Sequence, residues 1–157
     1  MQRVIAVLCF LVLSGCASSK TCIGLLEQAE SKYRGALAGV RRTVPEAESD
    51  AKWKAALNDF GEVQGLADAS QRTYNTLKRE DPDRNLLLRK QLDEARYFQR
   101  FSTVYACSLR MQGIALANLG SAVHADQNRK AADLFTREAE KRYDTAIDCG
   151  YPGPKKP

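Results

Sequence analysis

The sequence predicts an all-α protein: an elongated up-down-up-down four-helix bundle with a long central hairpin between helices 2 and 3. Two observations lead there. Apolar residues recur in steps of three and four from about Ile23 almost to the C-terminus, with no strand-like alternation. Helix breakers at Val44-Pro45, at Asp81-Pro82-Asp83 and around Gly120 then cut this periodic stretch into four pieces, the middle two exceeding 30 residues. A chain of 157 residues, 44% hydrophobic and 27% charged, suits one globular domain with a real core.

The first helix is expected over residues 23–42, with Leu26, Ala29, Tyr33, Ala36 or Leu37, and Val40 inward. Arg41 and Arg42 lie where the helix dipole favours cations. Pro45 suits the first turn of a second helix over residues 46–78, where Glu46 and Glu48 meet its positive end. Along it Trp53, Ala56 or Leu57, Phe60, Val63, Ala67, Ser70, Tyr74 and Leu77 keep a heptad-like rhythm for over three repeats. Asp81 can cap a third helix that begins at Pro82 and runs through residue 119. One of its faces is large (Phe98 or Phe101, Tyr105, Leu109) and another is small (Thr103, Ala106, Cys107, Gly113, Ala117), so it should pack on two neighbours, with Gly113 marking a kink. The fourth helix is expected over residues 126–149, with Ala132, Phe135, Ala139, Tyr143 and Ala146 inward and Gly150 as its C-terminal cap. Pro152 and Pro154 forbid continuation, leaving residues 151–157 as a disordered tail.

The N-terminus carries the most specific signal. Arg3 precedes a ten-residue apolar run over residues 4–13, long enough for a signal-peptide core and far short of the ~20 residues that span a bilayer. Leu13-Ser14-Gly15-Cys16 follows. This tetrapeptide resembles the lipobox of bacterial lipoproteins: an apolar residue, two small residues that fit an extended backbone into a peptidase, and the cysteine that is acylated. The resemblance implies cleavage between Gly15 and Cys16, lipidation at Cys16, and anchoring of the mature protein to a lipid bilayer. Two or three acyl chains, at ~0.8 kcal/mol per buried methylene, hold durably where one does not. In Gram-negative lipoproteins an Asp after the lipidated Cys retains the protein at the inner membrane. Ala17 stands there, so the resemblance implies the outer membrane, facing the periplasm. The chain thus divides into a signal peptide (1–15), a lipidated tether (16–21), a helical bundle domain (22–150) and the tail.

With residues 1–15 removed, 23 basic side chains face 19 acidic ones. This mild excess, spread along the chain without interleaved aromatics, gives no nucleic-acid signature.

Three cysteines stay available in an oxidising compartment: Cys22, Cys107 and Cys149. At 1.5 Å per residue the four helices measure about 30, 50, 57 and 35 Å. Folded up and down in turn, they bring Cys149 back to the height of Cys22, so a Cys22–Cys149 disulfide is expected, the alternative being two separate thiols. Cys107 lies too high on helix 3 to join them and reads as a core residue or an intermolecular disulfide partner. The same geometry leaves the helix 2–helix 3 tip projecting. Arg84, Leu86, Leu87, Arg89 and Lys90 there form a candidate partner-binding surface, unless a neighbouring subunit or a bent helix 1 covers it.

Motifs of catalysis and metal binding are missing from the sequence. His124 is the only histidine, expected in a loop, and there is no CxxC, GxSxG or phosphate-cradling glycine loop. Carboxylates sit in charged runs such as Arg137-Glu138-Ala139-Glu140-Lys141-Arg142, the pattern of a solvated helix face. No catalytic residue, metal or cofactor is therefore assigned. Leu116-Ala117-Asn118-Leu119-Gly120, with Ala132 and Ala139, resembles a tetratricopeptide repeat, but Phe135 is one residue out of place and helices 2 and 3 exceed that ~34-residue unit. The mature start, Leu25-Leu26-Glu27-Gln28-Ala29-Glu30, is similar to small uncharacterised helical envelope lipoproteins. The reading that results is a membrane-anchored, non-enzymatic scaffold or accessory subunit with an envelope protein partner. Two alternatives stay open. One is a carrier holding a small apolar ligand among Trp53, Phe60, Phe98, Phe101 and Tyr105. The other is a self-assembling or wall-spacing homo-oligomer.

Overall fold

A computed structural model describes residues 21–80 and 94–151. Among these residues there are four helices, α1 (Cys22–Arg41), α2 (Ser49–Glu80), α3 (Glu94–Asn118) and α4 (Ala122–Tyr143), with a 3-10 turn at Glu46–Glu48 before α2. No strand occurs among the described residues. α1 packs antiparallel on α2, α2 on α3, and α3 on α4. The expected all-α bundle is therefore present.

Local chemistry sets the helix ends. The Thr21 hydroxyl accepts the Gly24 N–H at 3.0 Å, satisfying one of the unpaired donors that open α1. At the end of α3, Ser121 N–H reaches Leu116 C=O and Gly120 N–H reaches Ala117 C=O. That paired bond needs a left-handed residue, which Gly120 supplies at φ 79°. The turn is tight enough that His124, expected in a loop, lies in the first turn of α4 and is exposed.

The apolar stripes become two stacked cores. Cys22, Leu26, Ala29, Val63, Ala67, Tyr74, Tyr97 and Phe101 fill one. Ala36, Leu37, Val40, Trp53, Phe60, Met111 and Ala115 fill the other. These are the faces of α1 and α2 that the spacing picked out, with Tyr33 and Leu77 packed against them as half-buried residues.

α4 behaves differently. Its buried residues are small (Ala125, Ala132, Thr136 and Ala139) and meet the small face of α3. Gly113 marks a close crossing: a Cβ there would lie 3.1 Å from the Ala125 carbonyl oxygen and 3.1 Å from Arg129 Cγ. A Gly113→Leu substitution should force α3 and α4 apart and cost about 2–3 kcal/mol. Gly61→Ala, in open space on α2, should gain about 0.5–1 kcal/mol. Thermal unfolding of the two variants checks this contrast.

The closing α1–α4 contact of a regular bundle is not among the packed pairs. The chain fills that gap. α4 stops at Tyr143, six residues short of the expected end at Cys149, because Asp144 turns left-handed at φ 48°. Residues 144–151 then climb back as a non-helical strap. The Glu140 carboxylate accepts the Ile147 N–H at 2.9 Å. Higher up, Tyr33 donates to Cys149 C=O at 2.8 Å and Arg41 donates to Gly150 C=O. Gly150, at φ 64°, is thus a bend in the strap and not a helix cap.

Candidate functional site

The strap decides the cysteine pairing. Cys149 is bonded to Cys107, not to Cys22, across a separation of 42 residues with the two Cα atoms 5.3 Å apart. Cys22 is a buried free thiol. The expected Cys22–Cys149 bridge assumed that helix 4 descends through Cys149 to the level of Cys22. Instead Cys149 sits beside Tyr33, 11 residues and so about 16 Å up α1. Cys107, expected as a core residue or an intermolecular disulfide partner, instead closes this bridge within the chain, because the reversal at Asp144 carries Cys149 up to its level.

At the lower end a buried polar chain ties three helices. Ser70, on the apolar face of α2 and fully buried, donates to the Cys22 carbonyl at 2.5 Å and lies 2.7 Å from the Tyr97 hydroxyl. Ser70 has one proton and spends it on the carbonyl, so Tyr97 is the donor to Ser70. Burial pushes Tyr97 up to about 12, keeping it a neutral donor. Burial also raises the Cys22 thiol, which makes it a packing residue with little thiolate character. One turn below, Tyr74 donates to Glu94 at 2.8 Å.

Halfway up, Arg100 grips Glu30 with two bonds of 2.7 and 2.8 Å, joining α3 to α1. The pair borders an open groove of about 360 Å³ that Tyr33, Thr103 and Asp148 also line. Burial pushes the Tyr33 hydroxyl up to about 12, against the opposing pull of Arg110. Its proton therefore stays on the bond to the strap.

A second groove, about 210 Å³, runs between α2 and α4 over the outer face of α3. Phe98, Phe101 and Phe135 line it, and Gln71, Glu138 and Arg142 supply polar groups. Phe135, expected inward, is 38% exposed, because among the described helices α4 packs chiefly on α3 and presents its second face to this groove. The rings are mutually packed: Phe135 lies 4.8 Å from Tyr105, Tyr105 lies 5.5 Å from Phe101, and the Arg142 guanidinium stands 5.9 Å over Phe98. Three phenylalanines and Tyr143 thus share one open groove with a charged border.

The five aromatics proposed to line a ligand space are dispersed. Trp53 and Phe60 are packed in the upper core, Phe101 in the lower core, and Phe98 and Tyr105 against its edge. Gly15 and Cys16, and the tip residues Arg84, Leu86, Leu87, Arg89 and Lys90, lie outside the described residues. Sequence reasoning missed the strap contacts of Tyr33, Arg41 and Glu140. The only local hint was the density of turn-forming residues between Asp144 and Pro152. Among the described residues no helix is long and apolar enough to cross a membrane, and no group of three His, Cys, Asp or Glu is placed to hold a metal ion. No protein-family model, curated protein or solved structure matches the chain.

Proposed function

We propose that the mature protein is a lipid-anchored lipoprotein of the bacterial envelope, acting as a non-enzymatic scaffold or accessory subunit. The observation that carries this reading is the Leu13-Ser14-Gly15-Cys16 lipobox behind an apolar signal core. The Cys107–Cys149 disulfide supports it, since such bonds persist in oxidising compartments outside the cytosol. The helical body offers the aromatic groove beside α4 as a surface for a protein partner. The disulfide and the bonds from Tyr33, Arg41 and Glu140 fasten the strap to that body.

Replacing Cys16 with Ala tests the anchor. Intact mass of the wild-type protein should show an acylated Cys16 as the first residue, and the variant should lose the acyl mass and leave the membrane fraction. A wild-type protein beginning elsewhere, without acyl mass, overturns the reading.

A further inference from the structure

Where the strap crosses toward α1 it leaves the groove of about 360 Å³ between α1, α3 and itself. The Glu30–Arg100 pair forms the lower wall, and Asp148 on the strap forms the upper one. Between them Tyr33, half-buried, and Val104, buried, supply an apolar floor. A space of this size suits a small molecule, held by an apolar surface and a few placed polar groups.

Those polar groups are sorted by sign. Arg100 commits Nε and Nη2 to Glu30, which leaves Nη1 as its open donor and Glu30 neutralised. Arg34, next to Tyr33 on the same wall, is exposed and enters no salt bridge among the described residues. The lower half therefore presents two guanidinium groups. Asp148 is exposed and spends one carboxylate oxygen on the Gly150 N–H at 2.7 Å, so its second oxygen stays open as an acceptor at the top.

Their spacing selects the ligand. Cys107, bonded to Cys149 beside Asp148, stands seven residues above Arg100 on α3, a rise of about 10 Å. Two hydrogen bonds of about 2.9 Å then leave roughly 4 Å for the ligand's own charged groups. That is close to the separation of ammonium and carboxylate in an α-amino acid, and shorter than in a dipeptide.

The geometry points to a binding site for a free α-amino acid with a compact apolar side chain. Its carboxylate lies between Arg34 and Arg100, its ammonium on Asp148, and its side chain on Tyr33 and Val104. Such a ligand ties the strap to α1 and α3. The site goes beyond the scaffold reading and does not depend on acylation at Cys16.

The test is isothermal calorimetry on the full-length protein in detergent micelles, with each enantiomer of alanine as the probe in turn. One enantiomer should bind saturably at millimolar concentration or below. Propionate and ethylamine, which each lack one of the two charges, should bind at least tenfold more weakly. Arg34→Gln and Asp148→Asn should each weaken alanine binding at least tenfold with Tm unchanged, since both side chains are exposed. Arg137→Gln, at an exposed position of α4, should bind as the wild type does. No binding of either enantiomer, equal binding of propionate, or tighter binding of dialanine overturns the site. So do Arg34→Gln and Asp148→Asn variants with wild-type affinity. None of these results touches the acyl mass at Cys16, so the anchor stands or falls separately.

Discussion

Removing the strap's disulfide is expected to cost about 3–4 kcal/mol. The bond between Cys107 and Cys149 closes a loop of 42 residues, and the loop-entropy relation gives a figure of this size for the restriction it places on the unfolded chain. The Cys107→Ser, Cys149→Ser double variant should lose on the order of 10 °C in Tm. It should not collapse. Tyr33, Arg41 and Glu140 still bond the strap, and the cores of α1, α2 and α3 do not depend on it. Hydrogen exchange locates the loss: protection should fall first at residues 144–151 and across the α3–α4 contact. If protection at Leu26 and Val63 falls as far, the disulfide is holding the whole core and the strap is not a separable latch.

Truncating Phe60 should do comparable damage by another route. Phe60 is fully buried in the upper core, with its ring 5.5 Å from that of Tyr33. It also lies where three helices converge, since α2 meets α1 through Tyr33 and α3 through the Gln112 bond to the Phe60 carbonyl. Phe60→Ala leaves a void that the surrounding helices can only partly fill, at about 3–5 kcal/mol. Chemical denaturation should show a lowered midpoint with an unchanged slope. Phe60→Leu, which keeps most of the volume, should recover more than half the loss. A change under about 1 kcal/mol on Phe60→Ala would mean that this core is loosely packed.

The sequence made α1 and α2 legible almost residue by residue, for a physical reason. Each carries one continuous apolar stripe, which α1 lays on α2 and α2 turns toward both α1 and α3, so the helical period alone names the core, from Leu26 to Val40 and from Trp53 to Tyr74. α4 lacks that clarity. Its contact with α3 is built from alanines and Gly113, whose burial rests on close backbone approach more than on hydrophobic pattern. Tyr143 and Ala146 kept the helical rhythm going past the true end. What stopped the helix was a left-handed Asp144 and a carboxylate from Glu140 capping a backbone N–H beyond it. Asp tolerates that conformation without announcing it, and the cap depends on the fold of the strap itself. The pairing of Cys149 failed with the helix boundary, because six residues of assumed helix placed it at the wrong end of the molecule. The aromatic groove was half visible: Phe98, Phe101 and Phe135 were noticed as apolar, but nothing local says that α4 packs chiefly on α3 and leaves one face of Phe135 open.

The bond from Cys149 to Cys107 also fixes how the molecule bears mechanical load. Tension applied beyond Tyr151 runs through the sulfur–sulfur link straight into the middle of α3, bypassing α4. Residues 108–148 sit inside a covalent ring and cannot be drawn out by pulling on either terminus. A protein held to a membrane at one end and tugged by a partner at the other would keep its fourth helix slack, while strain concentrated on α1, α2 and the lower half of α3.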